Sequence, residues 1–242
     1  IAAQRQFTGS LRTMPFTPVA RVIPIEKSVA APLRVHPYEE VRKLIDSVDF
    51  ISLGQCACRV TLKRCDKPTE TCLFFDAPAR FLAEKKYARQ ITREEAYAVL
   101  ERAEEEGLVH TSTNTADRVG FICNCCRCCC IILRGLTELN LPHAYSPSGF
   151  QAVVKADDCI GCGVCADERC PVGAMGMKED IAVVEAGKCI GCGLCVTACP
   201  VEAIALVRTS AAPEIPATNQ EMLGKILTEK RKLQTFTKLM KS

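Results

Sequence analysis

Two cysteine runs in the C-terminal half carry the clearest chemistry of this chain. D-D-C-I-G-C-G-V-C-A-D-E-R-C-P occupies 157–171 and G-K-C-I-G-C-G-L-C-V-T-A-C-P occupies 187–200. In a C-x2-C-x2-C run, one tight loop can present three thiolates to three irons of a cubane, and the fourth ligand has to come from elsewhere. Each run ends in a further Cys-Pro, so each can complete the other. Cluster one is then Cys159, Cys162, Cys165 and Cys199; cluster two is Cys189, Cys192, Cys195 and Cys170. Gly161, Gly163, Gly191 and Gly193 suit loops wrapped round a cluster, because glycine accepts positive φ and lets backbone N–H groups approach sulfur. Zinc ribbons also use C-x2-C pairs. Two complete runs with trailing Cys-Pro favour cubanes over that reading. Ligation by four cysteines leaves no open iron, so this half is expected to pass single electrons and do no bond chemistry.

Ten further cysteines lie upstream: Cys56, Cys58, Cys65 and Cys72 in the first group, then Cys123, Cys125, Cys126, Cys128, Cys129 and Cys130 in F-I-C-N-C-C-R-C-C-C. Ten thiols are two more than two cubanes need. Three readings stand open. The segments could jointly hold two more [4Fe–4S] clusters with two spectator thiols. They could hold one less usual cluster with an exposed iron. They could form a zinc or soft-metal knot, or simply pack as buried thiols. Side-chain alternation would put Cys56 and Cys58 on one strand face, and Cys123 and Cys125 on another. A helix beginning near Cys126 would align Cys126, Cys129 and Cys130 with Leu133 and Leu136, and its N-terminal dipole would favour thiolates there. Arg59, Arg64, Arg127 and Arg134 adjoin these thiols, either to offset cluster charge or as ordinary surface residues. None of His36, His110 and His143 is taken as a ligand, although His110 could approach the 123–130 block.

The elements that must position these groups read as follows. Residues 1–37, with Pro15, Pro18, Pro24, Pro32 and Pro37, predict an extended arm or linker. Val41, Leu44, Ile45 and Val48 follow helical spacing. F-I-S-L-G-Q-C-A-C-R-V reads as a strand entering a cysteine loop, and A-P-A-R-F-L-A-E-K-K-Y-A-R-Q as a helix starting near Asp76. Thr92 and Glu95 form a capping box for the next helix, which Gly107 is placed to end. L-V-H-T-S-T-N and V-G-F-I-C-N-C predict two strands of a wing-like element. Residues 140–150 and 209–220 are turn-rich connectors, and E-M-L-G-K-I-L-T-E-K-R-K-L-Q-T-F-T-K-L-M-K-S reads as a basic amphipathic helix packed on the body. The expected organisation is an arm at 1–37, a cysteine-rich mixed α/β domain at 38–150, a two-cluster domain at 151–208, and a linker with helix at 209–242. The fold class is α+β.

With 18 cysteines in 242 residues and 48 % hydrophobic content, the chain is long enough to bury a core without a disulfide scaffold, so the thiols point to metal. No secretory h-region and no span-length apolar run is found, which predicts a soluble, cytoplasmic protein in a reducing, anaerobic setting. Opening on Ile1 rather than Met, the chain is expected to be a fragment or a processed product. The formal net charge of +3 says little about partners, because four thiolates on a [4Fe–4S] core give roughly −2 per site. Basic residues are dispersed and aromatics scarce, so no nucleic-acid partner is expected.

Residues 157–204 resemble a bacterial-type two-cluster ferredoxin domain. They depart from it in the four residues, Ala166 to Arg169, between Cys165 and Cys170, where the shortest pattern has three. The wider combination of C-A-C-R at 56–59, C-D-K-P-T-E-T-C at 65–72, I-C-N-C-C-R-C-C-C at 122–130 and the C-terminal runs is similar to a group of multi-cluster 4Fe–4S proteins of anaerobic bacteria. Those proteins look longer at the N-terminus. The resemblance implies iron–sulfur electron transfer in redox metabolism, as a carrier or oxidoreductase subunit with a redox partner. It supplies no catalytic residue. Two rivals remain: a reductase with an incompletely ligated metal in the 56–130 region, and a redox-responsive interaction protein.

Overall fold

Alternating apolar residues in the first half close into one antiparallel sheet. The computed structural model describes residues 17–34, 39–117, 119–210 and 214–234. Strands β1 (Ala20–Val22), β2 (Ile51–Gln55), β3 (Glu70–Phe75), β4 (Ala88–Gln90), β5 (Val109–Thr113) and β6 (Phe121–Cys125) form a six-stranded sheet in the order β1-β5-β6-β3-β2-β4. Ile51 and Leu53 of β2, with Leu73 and Phe75 of β3, are buried against Val41 and Ile45 of the helix Val41–Ser47 and Ala96 of the helix Arg93–Glu105. Burial of each large apolar side chain contributes about 1.5–3 kcal/mol, which fixes these helices on one face of the sheet. The capping box forms, with Glu95 N–H donating to Thr92 Oγ1 at 3.2 Å and Thr92 N–H to Glu95 Oε2 at 3.0 Å. Gly107 leaves the helix end at φ +66°.

Several expectations need correction. The helix from Asp76 stops at Glu84, because Lys86 takes a positive φ and Ala88–Gln90 turn back to pair with β2. The two strands expected as a wing do pair, as β5 and β6, but β1 and β3 pair with their outer edges, so they lie inside the sheet. Cys56 and Cys58 do not share a strand face: Cys56 caps the helix Ala57–Leu62 and Cys58 lies within it. The helix after the cysteine block begins later than expected, at Ile131 with Cys130 as its cap. Cys126 to Cys129 instead form a turn, closed by Cys130 N–H to Cys126 O at 3.1 Å. The last described helix is Asn219–Glu229; residues 235–242 of the expected basic helix lie outside the described residues, as do 1–16 and 35–37 of the expected arm.

The second half builds two small ribbons. β7 (Phe150–Val154) pairs with β10 (Ile204–Arg208), and β8 (Met175–Lys178) pairs with β9 (Ile181–Val184), all antiparallel. Residues 17–34 tie this half to the large sheet. β1 pairs with β5, Ile23 N–H reaches His110 O at 2.8 Å, and Ile25 N–H donates to Cys192 O at 3.0 Å. The four-residue stretch before Cys170 winds into a single π turn, Cys165–Arg169, and aims Arg169 at the carbonyls of Glu104 and Glu105 at 2.7 and 2.8 Å. Those carbonyls end the helix Arg93–Glu105, where a cation is favoured. Helices and strands are thus mixed throughout, and no described helix is long and apolar enough to cross a membrane.

Gly191 marks a tight backbone crossing. A Cβ there would sit 2.2 Å from Ser148 Oγ and 2.3 Å from Phe150 O, on a backbone at φ +67°. Gly187, with nothing within 4 Å, is the control. Gly191→Ala is expected to destabilise the cluster-loaded chain by roughly 3 kcal/mol or more, and Gly187→Ala by under about 0.5 kcal/mol. Denaturant midpoints test this; equal midpoints would mean that the crossing is not close.

Candidate metal centres

In the second half, the two runs cross. One small cavity is lined by Cys159, Cys162, Cys165 and Cys199, the other by Cys170, Cys189, Cys192 and Cys195. Backbone N–H groups aim at the sulfurs: Ala174 at Cys170 (3.1 Å), Ala203 at Cys199 (3.3 Å) and Ala182 at Cys159 (3.5 Å). Four thiols per cavity with N–H···S donors are the donor chemistry that a [4Fe–4S] cluster takes, so the residues fit that group. The two sites differ in depth. Burial pushes the Cys195 thiol up to about 12 and raises Cys192 further, whereas Cys162 is exposed. The neighbouring Ile160 is 62 % exposed, so the first site reaches the surface.

All ten upstream thiols fall into two sets. Cys65, from the loop after the helix Ala57–Leu62, meets Cys126, Cys128 and Cys129 of the turn, and the four Sγ atoms lie within 4.8 Å of one another. Lys63 in the left-handed conformation swings the chain out of that helix toward Cys65. The other six influence one another's ionisation in a ring: Cys56 with Cys58, Cys58 with Cys130, Cys130 with Cys125, Cys125 with Cys123, Cys123 with Cys72, and Cys72 with Cys56. Two of the six, Cys123 and Cys125, share one face of β6, as side-chain alternation predicts. Within the ring, Cys123 first, then Cys130, Thr111 and Tyr145, stabilise the Cys125 thiolate and hold its pKa well below the ordinary thiol value despite burial.

Arg59 stands between the two sets. It is 2 % exposed. Its Nε donates to Pro68 O at 2.8 Å, one Nη to Asn124 O at 2.8 Å, and the other to Thr71 Oγ1. Thr71 reaches this position because the β2–β3 register shifts between Gly54 and Gln55, a bulge that re-aims the residue before Cys72. Burial alone would disfavour the charge on Arg59, but Cys56, Cys126 and Cys72 around it raise its pKa. At Cys126, burial opposes ionisation, yet contacts from Cys128 and Arg59 outweigh it and bring the thiol to about 7. Of the other arginines, Arg127 is exposed, while Arg64 and Arg134 pair with Glu138 at 3.3 and 2.6 Å.

Sequence reasoning did not single out three groups at this site. Tyr145 OH lies 3.5 Å from both Cys125 Sγ and Cys130 Sγ, and Thr111 Oγ1 lies 3.5 Å from Cys125 Sγ. Asn124 donates to Thr71 O at 2.6 Å and meets His110 Nδ1 through Oδ1 at 2.5 Å. Burial lowers the His110 pKa, so its neutral ring donates from Nδ1 to that amide oxygen. A bulky tyrosine among the small and polar residues of H-A-Y-S-P was the available signal for Tyr145.

Arg59→Met would leave the carbonyls of Pro68 and Asn124 without their donor. It is expected to cost about 3 kcal/mol or more, against under about 0.5 kcal/mol for the exposed Arg127→Met. Chemical denaturation of the loaded protein measures both, and comparable losses would remove Arg59 from its central place. Among known proteins, no curated sequence matches this chain. Residues 151–201 match the family model of a 4Fe-4S dicluster domain, so the chain carries an iron–sulfur domain of ferredoxin type in the segment where the two cysteine runs cross.

Proposed function

We propose that this chain is an electron-transfer protein or subunit that relays single electrons between a donor and a partner oxidoreductase. The observation that carries the reading is the pair of four-cysteine cavities built from crossed runs. In it, Cys159, Cys162, Cys165 and Cys199 hold one [4Fe–4S] cluster, and Cys170, Cys189, Cys192 and Cys195 hold the other. When bound, such clusters supply reversible one-electron chemistry at potentials set by charge, burial and N–H···S bonds. The chain's own residues set the rest. Cys125, Cys130 and Tyr145 share one apolar cluster with Ile190, Cys192 and Leu194, which supports a short dry path from the six-thiol ring to the second cavity. The exposed Cys162 and Ile160 favour the first cavity as the face that meets the partner. The ring then holds a further iron–sulfur cluster. Residues 38–150 and 151–208 serve as the two cluster-binding domains of a cytoplasmic, anaerobic redox protein.

A second reading rests on one observation: six interacting thiols exceed the four that a cubane uses. A less usual cluster there, with an iron open to substrate, would make the chain a reductase.

Anaerobically purified protein is expected to contain at least about eight irons and eight acid-labile sulfides for the dicluster segment, and about four more of each for the ring. Stepwise reduction followed by EPR should give reversible one-electron signals without consumption of a substrate. Cys192→Ser and Cys162→Ser should each remove the signal of one cluster. Fewer than eight sulfides would sink the dicluster assignment, and substrate turnover by the isolated chain would shift the function to the reductase.

A further inference from the structure

We propose that Cys65, Cys126, Cys128 and Cys129 bind one tetrahedral metal ion of the zinc type, and take no part in a cubane. Spacing separates the two chemistries. Four thiolates on a single ion, each at about 2.3 Å, stand about 3.8 Å apart. A cubane puts each thiolate on a different iron and spreads the sulfurs to roughly 6 Å. Here Cys65 Sγ lies 3.9 Å from Cys126 Sγ and 3.9 Å from Cys129 Sγ, and all four sulfurs fall within 4.8 Å. That is the spacing of one ion.

The surroundings complete such a site. The buried Arg59 offsets part of the roughly −2 charge that a divalent ion with four thiolates carries. Cys126 and Cys129 are buried beside Ala103 and Leu108, whereas Cys65 and Cys128 are half-exposed, so an ion has a way in. On binding, each thiol still protonated gives up its proton to solvent and the ion keeps its oxidation state. The site therefore closes the Cys65 loop onto the turn after β6 and plays no part in moving electrons. The assignment stands on these four residues alone and does not depend on the electron-transfer reading.

The test is metal and sulfide content of the full chain purified without oxygen, compared between the parent and Cys128→Ser. The parent is expected to hold one metal ion per chain in excess of sulfide-linked iron, as zinc or as mononuclear iron. Cys128→Ser is expected to lose that ion and keep all acid-labile sulfide. Loss of about four irons together with four sulfides would mean a cubane and overturn the proposal, as would unchanged metal content. Because the variant could fail to fold, the parent is also grown with cobalt in place of zinc. Visible bands of tetrahedral cobalt tetrathiolate support the site, and their absence from folded, cluster-loaded protein overturns it.

Discussion

A buried guanidinium holds the first half of this protein together. Six of the ten upstream thiols are buried, so each one that ionises holds its charge in a low-dielectric interior that magnifies repulsion. Arg59 is the cation inside that region, and its planar fork is what allows it to serve as structure as well as charge. Through Pro68 and Thr71 it fixes the loop ahead of Cys72, and through Asn124 it fixes the strand bearing Cys123 and Cys125. The two thiol sets are therefore separated and held by the same side chain. An ammonium could supply charge at that position, but no comparable three-way fork.

The second dependence is backbone to backbone. The stretch from β1 to Ser28 runs from the edge of the large sheet to the Cys189–Cys195 loop. Glycine at 193 is needed there, because a Cβ would lie 2.1 Å from Ser28 Oγ. Lys27 adds an ion pair with Glu104 at 2.7 Å, and Arg208 of β10 pairs with the buried Glu39 at 2.8 Å while stacking on Phe150. Apolar residues from both halves fill the space between, so the halves share one core cluster.

How much of this could be read from the sequence follows from the range of the interactions. Local signals carried well: the cysteine runs, the Thr92–Glu95 box, the helix end at Gly107 and the face shared by Cys123 and Cys125 all depend on neighbours within a few residues. The division of the ten upstream thiols did not, because Cys65 meets residues some sixty positions away. Cys56 and Cys58 looked like alternate strand positions, but the strand ends at Gln55 and a helical turn begins. Local propensity cannot foresee that a chain will turn sharply to deliver a ligand. Tyr145 was hidden for a related reason, since its turn gains meaning only when the Cys125 and Cys130 sulfurs arrive beside it.

One added residue between Cys165 and Cys170 has a consequence for how such chains can be exchanged among themselves. The longer loop is what lets Arg169 reach the end of the helix Arg93–Glu105. A dicluster segment with the ordinary loop could be spliced in with every cysteine in place, and would still lack that mooring. Loop length and helix end thus form a matched pair, so the C-terminal segment is more than a cysteine cassette.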